Sequence, residues 1–154
     1  MPEDADAVRA TVADAFRGTP YQGRMQETLD NALRFDDPEY LCLLAAPSDD
    51  GVPNGLVLFG TVLGARLTTK VHGVVASDPR VALGLLDAVR ETCVRSGERL
   101  VVCEIPHDTP FDVVAIALIA SGFREEGRVA DLVRDGVALR LLVWRPGAAD
   151  VESS

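Results

Sequence analysis

The stretch that decides the fold is Ser121–Pro146, which reads SGFREEGRVADLVRDGVALRLLVWRP. A Gly122-Phe123 pair follows an apolar run, and a charged segment containing Glu126-Gly127-Arg128 comes next. The dipeptide Asp135-Gly136 is typical of a tight turn, and the apolar segment Val137–Trp144 follows it. This order predicts a helix that ends at the Gly-Phe pair and is followed by two antiparallel strands.

Composition limits the class of protein. The chain has 154 residues, of which 47 % are hydrophobic, and this is enough for one core. The net charge is −9, which argues against a nucleic-acid partner or an anionic membrane surface, since both bind Lys and Arg. The single lysine, Lys70, indicates a GC-rich bacterial genome. No apolar run approaches the ~20 residues that span a bilayer, so we expect a cytoplasmic protein.

The cysteines do not suggest a metal site. Cys42, Cys93 and Cys103 lie in apolar runs, and no Cys or His spacing is typical of zinc ligands. We therefore expect buried thiols, and we expect the protein to use no metal.

Periodicity along the rest of the chain predicts the order ααβββαβαββ. The predicted elements are helices at 5–16 and 25–35, strands at 40–46, 56–62 and 66–76, a helix at 78–97, a strand at 100–105, a helix at 111–121 and the two closing strands. Asp78 is the expected N-cap of its helix, with Pro79 at the first helical position. The 111–121 helix is apolar on nearly every side, which predicts an interior position.

Turns, tail and core complete the sequence-based expectations. Asp50-Gly51 and Asn54-Gly55 predict a hairpin turn between the first two strands. We expect one domain over 1–146 and a flexible tail over 147–154. The residues predicted to be buried are Val71, Val75, Leu86, Val101, Cys103, Leu118, Leu139 and Leu141.

The C-terminal stretch and the order of elements resemble the GCN5-related N-acetyltransferase (GNAT) superfamily. Family domains run as one strand, two helices, three strands, a helix, a strand, a helix and two strands. The resemblance covers roughly Ala5 to Pro146, without a visible first strand. It implies an α/β (α+β) fold with a mixed, mostly antiparallel sheet and helices on both faces. In that fold the fourth and fifth strands of the family are parallel, flank the Asp78–Gly97 helix and splay apart.

The resemblance also implies acetyl-CoA or another acyl-CoA as the cofactor. In the family, a glycine-containing loop and the helix after it bind the CoA pyrophosphate through backbone N–H groups. Here that loop is shorter, with only Arg80, Ala82 and Gly84 as remnants, and Asp78 places a carboxylate where the pyrophosphate would bind. An ordinary capped helix is the alternative interpretation. The residues implied to contact the cofactor are Val74, Val75, Ala76, Arg80, Val81 and Ala82.

Two polar residues that the family often uses are replaced by apolar ones. A tyrosine that protonates the leaving thiolate would stand four residues before Gly122, where this chain has Leu118. The asparagine that commonly follows the fifth family strand would fall near Phe111. Both replacements weaken the case for ordinary acetyl transfer.

The remaining catalytic candidates are His72 and, second, Glu104. His72 is expected on the strand face that carries Lys70, Val74 and Ala76, where a neutral imidazole can act as a general base. Glu104 ends the next strand, beside the expected splay. A structural histidine is the alternative interpretation of His72.

Two further positions are candidates for the acceptor side. Tyr21, between the first two helices, lies where family members often admit the acceptor, although a surface tyrosine in a turn would look the same. In His107-Asp108 the carboxylate could orient the imidazole ring.

The resemblance implies a GNAT-like acyltransferase that moves an acyl group from a thioester donor, such as an acyl-CoA, to the amine of a small molecule. One alternative is a catalytically silent GNAT-fold domain that binds a ligand or serves as a partner subunit. Another is a GNAT fold with other chemistry in a biosynthetic pathway. A homodimer is compatible with the sequence.

Overall fold

The helices and strands follow one another in the order that the periodicity predicts. A computed structural model describes residues 5–34, 42–46, 53–62, 64–76 and 78–147. The helices are α1 (Ala5–Ala15), α2 (Gln22–Arg34), α3 (Pro79–Arg95) and α4 (Asp112–Ala120), with a short 3₁₀ turn at Thr109–Phe111. The strands are β1 (Cys42–Ala46), β2 (Gly55–Thr61), β3 (Thr68–Ala76), β4 (Leu100–Pro106), β5 (Arg124–Arg134) and β6 (Val137–Trp144).

Over these residues the strands form one six-stranded sheet in the order β1-β2-β3-β4-β6-β5. Strands β3 and β4 pair in parallel and the other neighbours pair antiparallel. Helix α3 connects the parallel pair, as a crossover must. Pairing between β3 and β4 runs from Thr68–Leu100 to Val71–Cys103 and ends there, so the strands diverge beyond it. The predicted fold class and the predicted splay are confirmed.

Helices cover both faces of the sheet because the central strands are apolar on both sides. Leu56 and Leu58 of β2 face a cluster with α1 and α2, whereas Val57 and Phe59 face a cluster with α3 and α4. All four side chains are buried. A continuous apolar run is typical of a strand covered on both faces.

The predicted core is wrong at two of its eight positions. Leu139 and Leu141 are only half-buried, whereas Leu142, the residue after Leu141, is fully buried. Leu142 faces α3 and α4, so Leu141 and Leu139, one and three residues before it on the strand, face the α1–α2 side of the sheet. Helices α1 and α2 pack over β2 and β3, and β6 lies beyond them.

Helix α4 is also less buried than predicted. Val114, Ala117 and Leu118 face the core, but Ile116 is 59 % exposed and Ile119 is 50 % exposed. The helix is therefore a surface element with an apolar outer face, and α3 and the sheet cover its inner side.

Some predictions can be followed only in part. The Asp50-Gly51 turn and the tail after Gly147 lie outside the described residues, as does the side chain of Cys42. The side chains of Cys93 and Cys103 are buried. None of the described helices is long and apolar enough to cross a membrane.

Candidate active site

A β-bulge in β3 sets the direction of the candidate base. Gly73 pairs with Leu58 and Val71 pairs with Phe59, so His72 is the extra residue without a partner on β2. The bulge changes the alternation of side chains along the strand. Val71 and Val74, three residues apart, both join the cluster beneath α3.

The prediction that His72 shares a face with Val74 and Ala76 is therefore wrong. His72 and Lys70 border a cavity on the α2 side of the sheet, whereas Val74 and Ala76 pack against the α3 side. Bulges are frequent beside active sites because they redirect single side chains.

The cavity on the α2 side, hereafter the polar cavity, has a volume of about 460 Å³. It brings together Tyr21, His72 and Glu104, three residues that the sequence placed on separate elements. Lys70 borders it as well, and its Nζ lies 3.3 Å from Glu104 Oε2. The carboxylate of the second base candidate is thus already held in an ion pair.

The electrostatics favour His72 over Glu104 as a base. The ring is exposed overall but lies against the cavity surface, and the loss of solvent there lowers its pKa below the usual 6.5. The Lys70 ammonium lowers the pKa further, and Glu104 opposes the shift. The imidazole is therefore neutral at pH 7 and free to accept a proton.

Tyr21 is part of a hydrogen-bonded group with Asp108 and Arg134. The Tyr21 hydroxyl donates to Asp108 Oδ2 at 2.7 Å, and the Arg134 guanidinium donates to the hydroxyl at 2.9 Å and to Asp108 Oδ2 at 2.7 Å. Burial, and then the bond to Asp108, raise the pKa of Tyr21. Bonds from Tyr21 and Arg134 hold the pKa of Asp108 below 3.8.

The side chain of Tyr21 is 8 % exposed, so it is not a surface tyrosine. The group joins the α1–α2 turn to the segment after β4 and to the end of β5. The proposed orientation of His107 by Asp108 is wrong, because Asp108 bonds to Tyr21 and Arg134 instead. His107 Nδ1 lies 3.0 Å from an Arg128 nitrogen.

A second cavity, hereafter the splay cavity, lies at the open end of the splay and measures about 430 Å³. Val74, Val75 and Ala76 line one side, and Pro110 and the first turn of α4 line another. These three β3 residues are the ones that the resemblance implied for the pantetheine arm. Because the pairing of β3 with β4 ends at Val71, the backbone edge of Val74–Ala76 is available to a ligand.

Phe111 lies between the two cavities. Its ring centroid is 5.6 Å from that of Phe16, which lines the splay cavity, and 4.7 Å from that of Tyr21, which lines the polar cavity. Phe111 is 8 % exposed and belongs to the core beneath α1 and α2. The position where the family commonly has asparagine is thus filled by an aromatic side chain that separates the two spaces.

The start of α3 offers little to a pyrophosphate. Asp78 caps the helix as predicted, since its Oδ1 accepts hydrogen bonds from the N–H groups of Arg80 at 2.8 Å and Val81 at 3.1 Å. The N–H of Ala82 donates to the Asp78 carbonyl, and the Ala82 side chain is fully buried. Arg80, Val81 and Ala82 were the residues proposed to contact the pyrophosphate. Of these three, only Arg80 has a group that can still bind it, its exposed side chain.

The residues therefore fit part of a CoA molecule. The splay cavity and the β3 edge suit an extended, largely apolar arm, whereas the capped helix does not suit the pyrophosphate. Among the described residues, no three His, Cys, Asp or Glu side chains are grouped where they could hold a metal ion.

Comparison with solved structures finds this fold in acetyltransferases. A proposed GNAT-family acetyltransferase from Desulfovibrio desulfuricans superposes with a TM-score of 0.77 at 22 % identity, over 94 % of each chain. The ribosomal-protein-alanine N-acetyltransferase from Brucella melitensis gives 0.69 at 20 % identity, over 94 % of this chain and 96 % of that one. A proposed acetyltransferase from Salmonella typhimurium, solved with its cofactor acetyl-CoA, gives 0.70 at 15 % identity, over 94 % and 90 %.

No family model matches the sequence, and no curated protein matches it. The chain has the fold of the GNAT acetyltransferases, which confirms the predicted resemblance at the level of the fold.

Three features of the site had no clear signal in the sequence. The Lys70–Glu104 pair joins residues 34 positions apart, and the Tyr21–Arg134 bond joins residues 113 apart. Phe111 was predicted to begin an interior helix and was noted as the replacement for the family's asparagine, but its position between two cavities follows only from the fold.

Proposed function

We propose that this protein is a GNAT-type acyltransferase that moves an acyl group from an acyl-CoA or a similar thioester to the amine of a small molecule. The observation that carries the proposal is the arrangement at the splay. An apolar cavity lies along the open edge of β3, and a polar cavity with a neutral imidazole lies next to it.

The donor would lie along Val74–Ala76, and the acceptor amine would enter the polar cavity. The thioester supplies an activated acyl group whose bond to sulfur breaks when the amine nitrogen forms its bond to the carbonyl carbon. His72 accepts the proton that the attacking nitrogen loses, and the sulfur leaves with the electron pair.

We assign no side chain as the acid that protonates the leaving sulfur. Leu118, at the position of the family's tyrosine, is fully buried and apolar. Thiols with a pKa near 8.5 leave without a strong acid, so water can supply the proton.

A second candidate function is a catalytically silent GNAT-fold domain that binds a ligand or a partner. Two observations favour it: the Phe111 ring between the cavities, and the cap that uses two N–H groups at the start of α3. For acyl transfer, the Phe111 ring must move aside when both substrates are bound.

The test compares His72→Ala with His107→Ala, which removes the other histidine of the chain. His107 does not border the polar cavity and contacts Arg128 instead. Thiol release from acetyl-CoA should fall about 10²–10⁴-fold in kcat for His72→Ala and stay close to wild type for His107→Ala. Both variants should keep their melting temperatures within a few degrees, because both side chains are exposed. Full activity in His72→Ala would show that this imidazole is not the base.

A further inference from the structure

The polar cavity carries charge of the opposite sign to the whole chain. The chain has a net charge of −9, yet the charged side chains that border this cavity are Arg24, Lys70 and Glu104. Lys70 and Glu104 form an ion pair, which leaves Arg24 as the unbalanced charge. Within the described part of the chain, the Arg24 guanidinium has no ion-pair partner.

The same cavity presents apolar surface at its opening. Leu132 is 58 % exposed and borders the cavity together with Val133 and Leu139, which are half-buried. Val133 and its neighbours extend from an irregular part of β5, where the register with β6 shifts between Val129 and Arg134. A large exposed leucine at the mouth of a cavity is an available apolar contact for a ligand.

These two features exclude one kind of acceptor and favour another. An acceptor with several ammonium groups would be repelled by the positive charges of Arg24 and Lys70. Among the described residues, the one carboxylate that borders the cavity, Glu104, is already paired with Lys70. An acceptor with a carboxylate would gain a charge-assisted bidentate contact with the guanidinium.

Resting on the proposed acyl transfer, we propose that the acceptor is a small apolar amino acid or a compound of that kind. Its amine would lie toward His72, its carboxylate toward Arg24, and its side chain toward Leu132 and Leu139. The volume of about 460 Å³ is ample for one such molecule.

The experiment measures binding without any acyl donor. Calorimetric titrations use L-leucine, L-methionine and L-phenylalanine, each paired with its carboxamide, which keeps the amine and side chain but loses the negative charge. At least one acid should bind the wild type about tenfold more tightly than its amide, as expected when a charge-assisted contact is lost.

Arg24→Gln should abolish this preference, and Arg34→Gln should preserve it. Arg34 is the matched control, since it is an exposed arginine on the same helix and does not border the cavity. Equal or tighter binding of the amides, a preference that survives Arg24→Gln, or no binding of any of the three acids would overturn the proposal.

Because the binding experiment contains no acyl donor, it tests the assignment of the acceptor independently of the proposed acyl transfer. Selective binding of the acids without transfer from acetyl-CoA would contradict only the acyltransferase. Transfer to the amides or to polyamines, but not to the acids, would contradict only this assignment of the acceptor.

Discussion

The start of α3 gives a quantitative prediction about CoA. Asp78→Ser keeps an oxygen that can accept from the N–H groups of Arg80 and Val81 but removes the charge, whereas Asp78→Gly removes both the acceptor and the charge. A carboxylate about 4–5 Å from a bound pyrophosphate repels it by roughly 1 kcal/mol or more, which corresponds to about a fivefold change in affinity. Affinity for CoA should therefore increase from wild type to Asp78→Ser, and again to Asp78→Gly as the N–H groups become available.

The same substitutions should cost little stability. Serine is a good N-cap and glycine costs a few tenths of a kcal/mol, whereas Asp78→Ala should cost about 1 kcal/mol. For a domain of this size, that loss lowers the melting temperature by about 2–4 °C. A thermal denaturation series over the three variants measures this order.

The assay is calorimetric titration with CoA and with pantetheine, which lacks the pyrophosphate. Pantetheine should bind wild type and variants equally, since it occupies only the splay cavity. Asp135→Ser, in the exposed turn between β5 and β6, removes the same charge away from α3 and should leave both affinities unchanged. Equal CoA affinities across the Asp78 series would refute the electrostatic argument.

Two further predictions concern the residues around the cavities. Phe111→Ala should lower the free energy of unfolding by about 3–5 kcal/mol in a denaturant titration, because removal of a buried ring leaves a cavity, and Phe111→Leu should cost less. A change below about 1 kcal/mol would contradict the packing described for this ring. The pKa of Asp108 in the folded state lies below its ordinary value of 3.8. The ionised carboxylate therefore stabilises the fold above pH 3.8, and this stabilisation is lost as the pH falls through the folded-state pKa. The difference in stability between wild type and Asp108→Asn should thus shrink below pH 3.8 in acid titrations, and two parallel curves would contradict the hydrogen bonding described for Asp108.

Local signals made much of the fold predictable. Asp78-Pro79 marks the start of α3 through the N-cap and the fixed proline backbone, and the structure places the helix there. The resemblance to the GNAT superfamily implied the parallel pair, and two parallel strands joined by a helix are a common unit. Leu139 and Leu141 could not be placed from the sequence, because their burial depends on how far α1 and α2 extend over the sheet.

The site was less predictable because it depends on one backbone irregularity and on distant contacts. The bulge at His72 reverses the face of Val74 and Ala76, and period-two alternation cannot show an inserted residue. Tyr21 and Asp108 are 87 positions apart, so their hydrogen bond follows only from the complete fold.

The central claim is that an acyl group crosses the splay from a thioester to an amine. The most direct measurement incubates the wild-type protein with acetyl-CoA and the apolar amino acids, follows free thiol, and identifies the product by mass spectrometry. We predict amine-dependent thiol release together with an N-acetylated amino acid. The experiment must use donor concentrations at which calorimetry shows the splay cavity to be filled. Under those conditions, the absence of both thiol release and product with every amine would contradict the claim and leave the silent binding domain as the function.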